Sequence, residues 1–368
     1  MKSRVEPTRL RRSPNAEAPR GSGRSPFRKI RRLPGAWRLS VLPLLLLAGA
    51  CGGVDRFPMT WTEPRSDFAR ELWGLQQLTN YLGVGVGILV FGILAYIVVR
   101  FRWRPGAPEP SQVHGNTRME LAWMLAPALL LAVIAVPTVR IIFSTQEDPP
   151  PDALTIDVIA HQWWWEFRYP MAEGDTVITA NEVHIPVGRT VHLRLTSADV
   201  VHNFWVPQMG GKRYNIPNRI NHIIFTPEET GVYLGQCAEF CGESHALMKK
   251  RMFVHTPEGF DEWLRNEASP AVEPTDSALI IGQQLTIQNC AACHIIEGTD
   301  AQFGRAGPYL THFARRRTLA AGILDNNAQN LADWIRDPQA FKPGALMPNL
   351  GLSEDEIGYI VAYLQTLY

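Results

Sequence analysis

The chain has 368 residues, 46% of them hydrophobic and 19% charged, which is enough apolar content for two or three packed cores and excludes a disordered or fibrous chain. A formal net charge of +1 hides a strongly basic first forty residues and a mildly acidic remainder, so the chain presents no overall field for nucleic acid. Four of the five cysteines fall into two close pairs, 237/241 and 290/293, with Cys51 alone, a spacing that suits cofactors better than a disulfide framework.

Residues 1–51 form a basic leader with a signal-like end. The apolar run 41–50 is too short to span a bilayer, and it closes on Ala48-Gly49-Ala50-Cys51, small residues before a Cys in the manner of a bacterial lipoprotein box. Two longer apolar stretches follow, 78–99 and 121–142, uncharged except for Arg140 and each long enough to cross a membrane as a helix. Pro127 and Pro137 are tolerable there because neighbouring groups in a spanning bundle satisfy the freed carbonyls. The connection carries Arg100, Arg102, Arg104 and Arg118, which places it in the cytoplasm and everything after Phe143 outside. A transmembrane hairpin over 68–148 is predicted.

After Pro149 the hydrophobic period changes to two. Val191, Leu193 and Leu195 alternate with His192, Arg194 and Thr196, and further short strands fall at 220–225, 232–235 and 252–254, so 149–266 is predicted as an all-β sandwich or barrel. Cys237, Cys241, His245 and Met248 lie within twelve positions that begin where a strand ends. Soft sulfur with imidazole selects copper, zinc or iron, and the Met favours copper; a Cys237–Cys241 disulfide is the alternative, but it leaves His245 and Met248 without a role. A further ligand is needed, and His202, at the end of the strand that starts near Thr190, is best placed. His161, His184, His192, His222 and His255 are expected to be satisfied or solvated histidines.

The stretch 267–277 is polar and broken by Pro270 and Pro274, and is predicted to be a linker. In the all-α region 278–368, Cys290-Ala291-Ala292-Cys293-His294 is a C-x-x-C-H run: two thioethers would anchor a c-type haem and His294 would ligate its iron. A thioredoxin-like pair is the alternative, and no βαβ pattern surrounds it. Met347, in a Pro-bounded loop, is the expected sixth ligand, with His312 the competitor. Ser353 and Glu356 predict a capping box for the last helix, and the run 315–317 reads as a solvated charge run rather than a docking patch.

His202, Cys237, Glu239, Cys241, His245 and Met248 together resemble the binuclear copper A signature of cytochrome c oxidase subunit II. The resemblance extends to His114-Gly115-Asn116 with Glu120, Trp123 and Pro127, to Gln162-Trp163-Trp164-Trp165, and to Ile216-Pro217-Asn218-Arg219. It implies a cupredoxin-like Greek-key domain in which Cys237 and Cys241 bridge two coppers, His202 and His245 terminate them, and Met248 and the Glu239 backbone carbonyl complete the set. It also implies that the Glu239 side chain helps hold a magnesium ion at the contact with subunit I, although Lys212-Arg213-Tyr214-Asn215 departs from the family pattern for that ion's surroundings. Trp163 matches the exposed Trp that accepts an electron from cytochrome c, and Glu120 a position near the mouth of a proton path in subunit I. The C-terminal region resembles a class I cytochrome c, with Gly307-Pro308 matching the loop that braces the proximal His and Trp334 a buried aromatic.

The whole resembles subunit II of a caa-type oxidase. That implies electron flow from cytochrome c or another donor to haem c (Cys290, Cys293, His294, Met347), to copper A, and to haem a in subunit I, which also holds haem a3 and a further copper. There O2 is reduced to water with proton pumping; no catalytic residue lies in this chain. Subunits I and III are the implied partners, and the bacterial inner membrane, crossed more than once with both redox domains on the periplasmic side, is the implied location. The copper-A subunit of a nitric oxide reductase and a membrane-tethered carrier without a catalytic partner are the alternatives.

Overall fold

A computed structural model of the chain describes residues 58–109, 111–112, 114–171 and 174–368; the expectations for 1–51, Cys51 included, lie outside them. Two apolar helices come first, α1 (Asp67–Arg100) and α2 (Thr117–Ser144). The 34 residues of α1 run about 51 Å, well beyond a bilayer core of about 30 Å. Its first turns therefore stand clear of the apolar segment and are fastened to the β domain. The Ser66 hydroxyl accepts from Ala69 N at 3.1 Å and donates to the Met209 carbonyl at 2.8 Å, while the Asp67 carboxylate accepts from Thr226 N at 2.8 Å. α2 starts upstream of its apolar run because Asn116 caps it, accepting from Met119 N at 3.3 Å, and Glu120 returns the bond by accepting from Asn116 N at 3.1 Å. Ser144 at the end of α2 donates to Glu71 near the start of α1 at 3.3 Å, so the two helices run antiparallel.

Ten strands follow: β1 (Leu154–His161), β2 (Trp164–Pro170), β3 (Thr176–Ala180), β4 (Glu182–Pro186), β5 (Val191–Ser197), β6 (His202–Trp205), β7 (Arg213–Asn215), β8 (Asn221–Phe225), β9 (Gly231–Cys237) and β10 (Lys249–His255). They form two five-stranded sheets, ordered β3-β2-β1-β5-β8 and β4-β10-β9-β6-β7. The β1–β5 and β4–β10 pairs are parallel and the other strand pairs of these two sheets antiparallel. The inward residues of β1 and β5, Ile156, Val158, Leu193 and Leu195 among them, pack with Trp165, Phe167 and Phe204 in the core between the sheets.

The strand carrying His202 differs from the sequence reading. β5 ends at Ser197, whose hydroxyl turns back to donate to the Val200 carbonyl at 2.5 Å, and the chain restarts as β6 in the opposite sheet. The strand before the copper motif also runs further than the expected 232–235, since β9 continues through Cys237 itself.

The C-terminal region holds α3 (Pro257–Glu267), α4 (Ser277–Cys290), a small hairpin of β11 (Thr318–Leu319) and β12 (Leu324–Asp325), then α5 (Ala328–Arg336), α6 (Pro338–Phe341) and α7 (Glu354–Leu364). α3 packs Phe260 and Trp263 back onto the β core. The capping box of α7 is formed, with Ser353 N donating to Glu356 Oε2 at 2.8 Å and Glu356 N to Ser353 Oγ at 3.4 Å. Residues 267–277 are strapped down rather than loose: Ala271 is buried and its N–H donates to the Glu297 carbonyl at 2.9 Å, while His312 Nε2 donates to the Ser269 carbonyl at 2.8 Å.

α4 and α7 touch at Gly282, where an added Cβ would overlap the Tyr359 carbonyl oxygen and lie 2.8 Å from Tyr363 Cβ. Gly282→Val should therefore destabilise the C-terminal helices by about 3 kcal/mol. Thermal unfolding followed by near-ultraviolet circular dichroism checks this, and an unshifted midpoint refutes it.

Candidate copper and haem sites

β6 and β9 lie side by side with Phe204 opposite Cys237, which brings His202 next to the end of β9. Cys237 Sγ is 3.9 Å from His202 Nδ1, 3.2 Å from the Glu239 carbonyl and 3.8 Å from Cys241 Sγ. Cys241 Sγ in turn lies 3.5 Å from His245 Nδ1 and 3.9 Å from Met248 Sδ, of which His245 opens a 3-10 turn (His245–Leu247) and Met248 follows it. Both thiols are free, and their sulfurs are too far apart for a disulfide, whose bond is about 2.0 Å. His202 and Met248 are fully buried.

The residues fit a soft-metal pair. Donor atoms between 3.2 and 3.9 Å apart are spaced like neighbours around one ion, and the set divides into His202 with the Glu239 carbonyl beside Cys237, and His245 with Met248 beside Cys241. His202 Nε2 faces Asp199 Oδ1 at 2.8 Å. A carboxylate only accepts, so Nε2 carries the proton and the Nδ1 lone pair faces Cys237. Burial disfavours a charged His202, but Asp199 and Cys237 outweigh it and raise its pKa. The Cys237 thiol is pulled down, chiefly because the Cys241 thiol donates to it, and Cys241 is pushed up by the same contact. The two cysteines thus share a proton that metal binding would displace.

Four further side chains line this centre. Asp199 sits three residues before His202 and was the one legible from spacing. Lys250 lies on the inward face of β10, fully buried, donating to the Gln236 carbonyl at 2.9 Å with its ammonium 3.9 Å from the Trp165 ring centre and 4.2 Å from that of Phe204. Burial drives its pKa down, with Cys237 opposing; alternation along β10 would have marked the position as inward. Gln162 Nε2 and Trp163 Nε1 both donate to the Cys241 carbonyl, at 2.7 and 3.1 Å.

Trp163 is only 8% exposed. Its ring lies between Gly242 and Gly344, where added Cβ atoms would stand 2.9 Å from Cζ2 and 3.0 Å from Cη2 respectively. The exposed electron-entry Trp expected from the resemblance is therefore covered by the chain's own C-terminal region. Trp164 stacks on His161 at 4.2 Å, and Trp165 is core. The Glu239 carboxylate faces the Tyr214 hydroxyl and raises its pKa. Five further histidines are paired: His161 with Glu166 at 3.0 Å, His184 with His255 at 2.8 Å and His192 with His222 at 2.7 Å.

In the C-x-x-C-H segment both thiols are free and half-buried, and burial pushes Cys290 up to about 11. His294 Nδ1 donates to the Pro308 carbonyl at 2.7 Å, which leaves Nε2 with its lone pair. Burial lowers the pKa of His294 and keeps it neutral, as ligation requires, against the opposing pull of the Pro308 bond. Gly307 packs flat on this ring, since a Cβ there would lie 2.5 Å from Cε1. Met347 is half-buried against the C-terminal core, and Gln339 Nε2 holds its carbonyl at 3.0 Å and that of Ala345 at 2.7 Å. Phe303 and Leu346, next in sequence to Gly304 and Met347, are 88% and 76% exposed, apolar surface that a large flat apolar group could cover. His312 is buried with Nε2 on the Ser269 carbonyl. Trp334 is half-buried against the same core, and Arg317 lies over the Phe253 ring of the β domain at 5.2 Å.

A chain that can hold a soft-metal pair and a covalent haem, behind two helices long enough to anchor it, falls in the class of membrane-bound electron carriers. Three family profiles match it: the transmembrane domain of cytochrome c oxidase subunit II over residues 59–141, the periplasmic domain of that subunit over 171–253, and cytochrome c over 280–368. The chain is 37% identical over 337 residues to cytochrome c oxidase subunit 2 of Alkalihalophilus pseudofirmus, covering 89% of this chain and 95% of that one. It is 32% identical over 355 residues to cytochrome c oxidase subunit 2 of Bacillus subtilis, covering 90% and 98%. The crystal structure of the periplasmic domain of subunit II of cytochrome oxidase of Bradyrhizobium japonicum matches with 31% identity and a TM-score of 0.30, covering 32% of this chain and 95% of that one.

The chain belongs to the cytochrome c oxidase subunit II family and carries a C-terminal cytochrome c domain. It is a membrane protein with a periplasmic domain and one subunit of a respiratory oxidase; its family implies copper A and its cytochrome c domain implies haem.

Proposed function

We propose that this subunit relays electrons from cytochrome c or another donor to a covalent haem c, on to a binuclear copper A centre, and then to haem a in subunit I, where O2 is reduced to water with proton pumping. The observation that carries this reading is the contact between the two redox regions: Ser244, next to His245, donates to the carbonyl of Pro343, four residues before Met347, at 2.6 Å. Cys237 and Cys241 would bridge the copper pair, with His202, His245, Met248 and the Glu239 carbonyl completing it. Cys290 and Cys293 would carry the haem between His294 and Met347. The chain's work is to hold these donors still between oxidation states, which buried ligands on paired strands do.

The reading further assigns the Glu239 carboxylate to a magnesium ion at the subunit I contact, and includes subunit III as a partner. It assigns the chain to the bacterial inner membrane, crossed by α1 and α2, with both redox domains outside. Its domain boundaries are 68–148 for the hairpin, 149–266 for the copper domain, 267–277 for the connection and 278–368 for the cytochrome c domain. Purification of the complex through this chain, with a pyridine haemochrome spectrum and an oxygen-uptake assay, tests it. Haem a with oxygen uptake is expected; haem b with nitric oxide turnover overturns it in favour of a nitric oxide reductase.

A further inference from the structure

Lys342 is a buried lysine at the end of α6, and its amine reaches across the junction of the two redox domains. It donates to the carbonyl of Trp163 in the copper domain and, at 3.2 Å, to that of Ala320 in its own. A buried amine is costly unless its hydrogen bonds are made. Carbonyls only accept, so the amine donates to both whatever its protonation. The bond falls at a close contact between the domains, since the backbone of Gly344, two residues on, lies on the Trp163 ring. Other contacts continue the junction: the buried Glu182 carboxylate accepts from Arg317 N at 3.1 Å and Thr318 N at 2.9 Å, and Lys249 N donates to the Ala321 carbonyl at 3.1 Å.

We propose that Lys342 is the positioning residue for electron delivery within the chain: it holds the cytochrome c domain on the copper domain, with the Met347 loop seated on Trp163 and Cys241 directly behind that ring. The cytochrome c domain then covers the indole that bonds the Cys241 carbonyl, which shuts out a donor approaching across it. Electrons from any external donor must enter by the chain's own haem. The proposal rests on the relay reading above.

Lys342→Met in the purified oxidase tests it, because the side chain stays unbranched, one atom shorter and apolar, and loses its donors. Hydrogen exchange at Arg317, Thr318 and Lys249, the amides bonded across the junction, should quicken by roughly tenfold, the scale set by one buried hydrogen bond, while α7 amides keep their protection. After flash photoreduction of the haem, electron transfer to the copper site should slow, and an external reduced cytochrome c should gain direct access to copper. Junction exchange that does not change overturns the latch, and faster exchange with an unchanged transfer rate overturns its positioning role. Should Lys342→Met fail to mature with haem, Ser244→Ala removes the neighbouring bond to the Pro343 carbonyl and must move both readouts in the same direction. An unaltered oxidase whose reduced haem never reduces copper overturns the relay reading itself, whatever Lys342 does.

Discussion

Cys237→Ser is expected to abolish the copper-pair electron paramagnetic resonance signal and to remove most of the copper, leaving the haem spectrum intact. Cys237 Sγ stands at the middle of the donor set, between His202 Nδ1, the Glu239 carbonyl and Cys241 Sγ. A serine hydroxyl is harder and far less acidic than a thiol, so it neither bridges nor selects a soft ion. The other donors cannot compensate, because His202 is locked by Asp199 and Cys241 is tied to the opposite half of the set. The fold should survive, since the substitution is nearly isosteric at a strand end whose backbone bonds, Cys237 N to the Met248 carbonyl at 2.9 Å among them, are unaffected. Copper content by elemental analysis, the resonance spectrum and far-ultraviolet circular dichroism separate these effects. Two coppers per chain with an unchanged spectrum would refute the assignment of Cys237.

Much of this site was legible in the sequence because its chemistry is local. Cys237, Cys241, His245 and Met248 fall within twelve consecutive positions, so their spacing alone gathers four donors, and the C-x-x-C-H run is likewise contiguous. The two apolar helices and the alternation in β5 could be read for the same reason: period and length are properties of a single segment. His202 was found by asking for a missing ligand, but its strand was misplaced, because the turn at Ser197 that sends the chain to the other sheet is made by side-chain bonds of Ser197 and Asp199 with no hydrophobic pattern. Lys250 and Lys342 stayed hidden for a different reason. A lysine is read as solvated by default, and only the tertiary fold shows that Gln236, Trp163 and Ala320 supply acceptors in the interior. Trp163 was identified but its exposure was not, since what covers it lies about 180 residues away in the chain.

Met347→Leu should lower the haem potential by on the order of 0.1 V or more, a sizeable part of the roughly 0.8 V over which axial ligands set haem potentials. The thioether is the only part of the residue that changes chemically, because leucine nearly conserves volume and the Met347 backbone stays held by Gln339 through its carbonyl. His294 is unaffected on the other side, its Nδ1 fixed on Pro308 and its ring backed by Gly307. The competing ligand, His312, would have to give up its bond to the Ser269 carbonyl and leave a fully packed position, which would also loosen the strap over 267–277. A spectroelectrochemical titration decides between them: a potential that does not move returns the sixth position to His312. A lowered potential makes the haem a stronger reductant toward the copper site but a poorer acceptor from its donor. Entry of electrons into the chain should therefore slow even as transfer within it becomes more favourable, and stopped-flow reduction by external cytochrome c resolves the two steps.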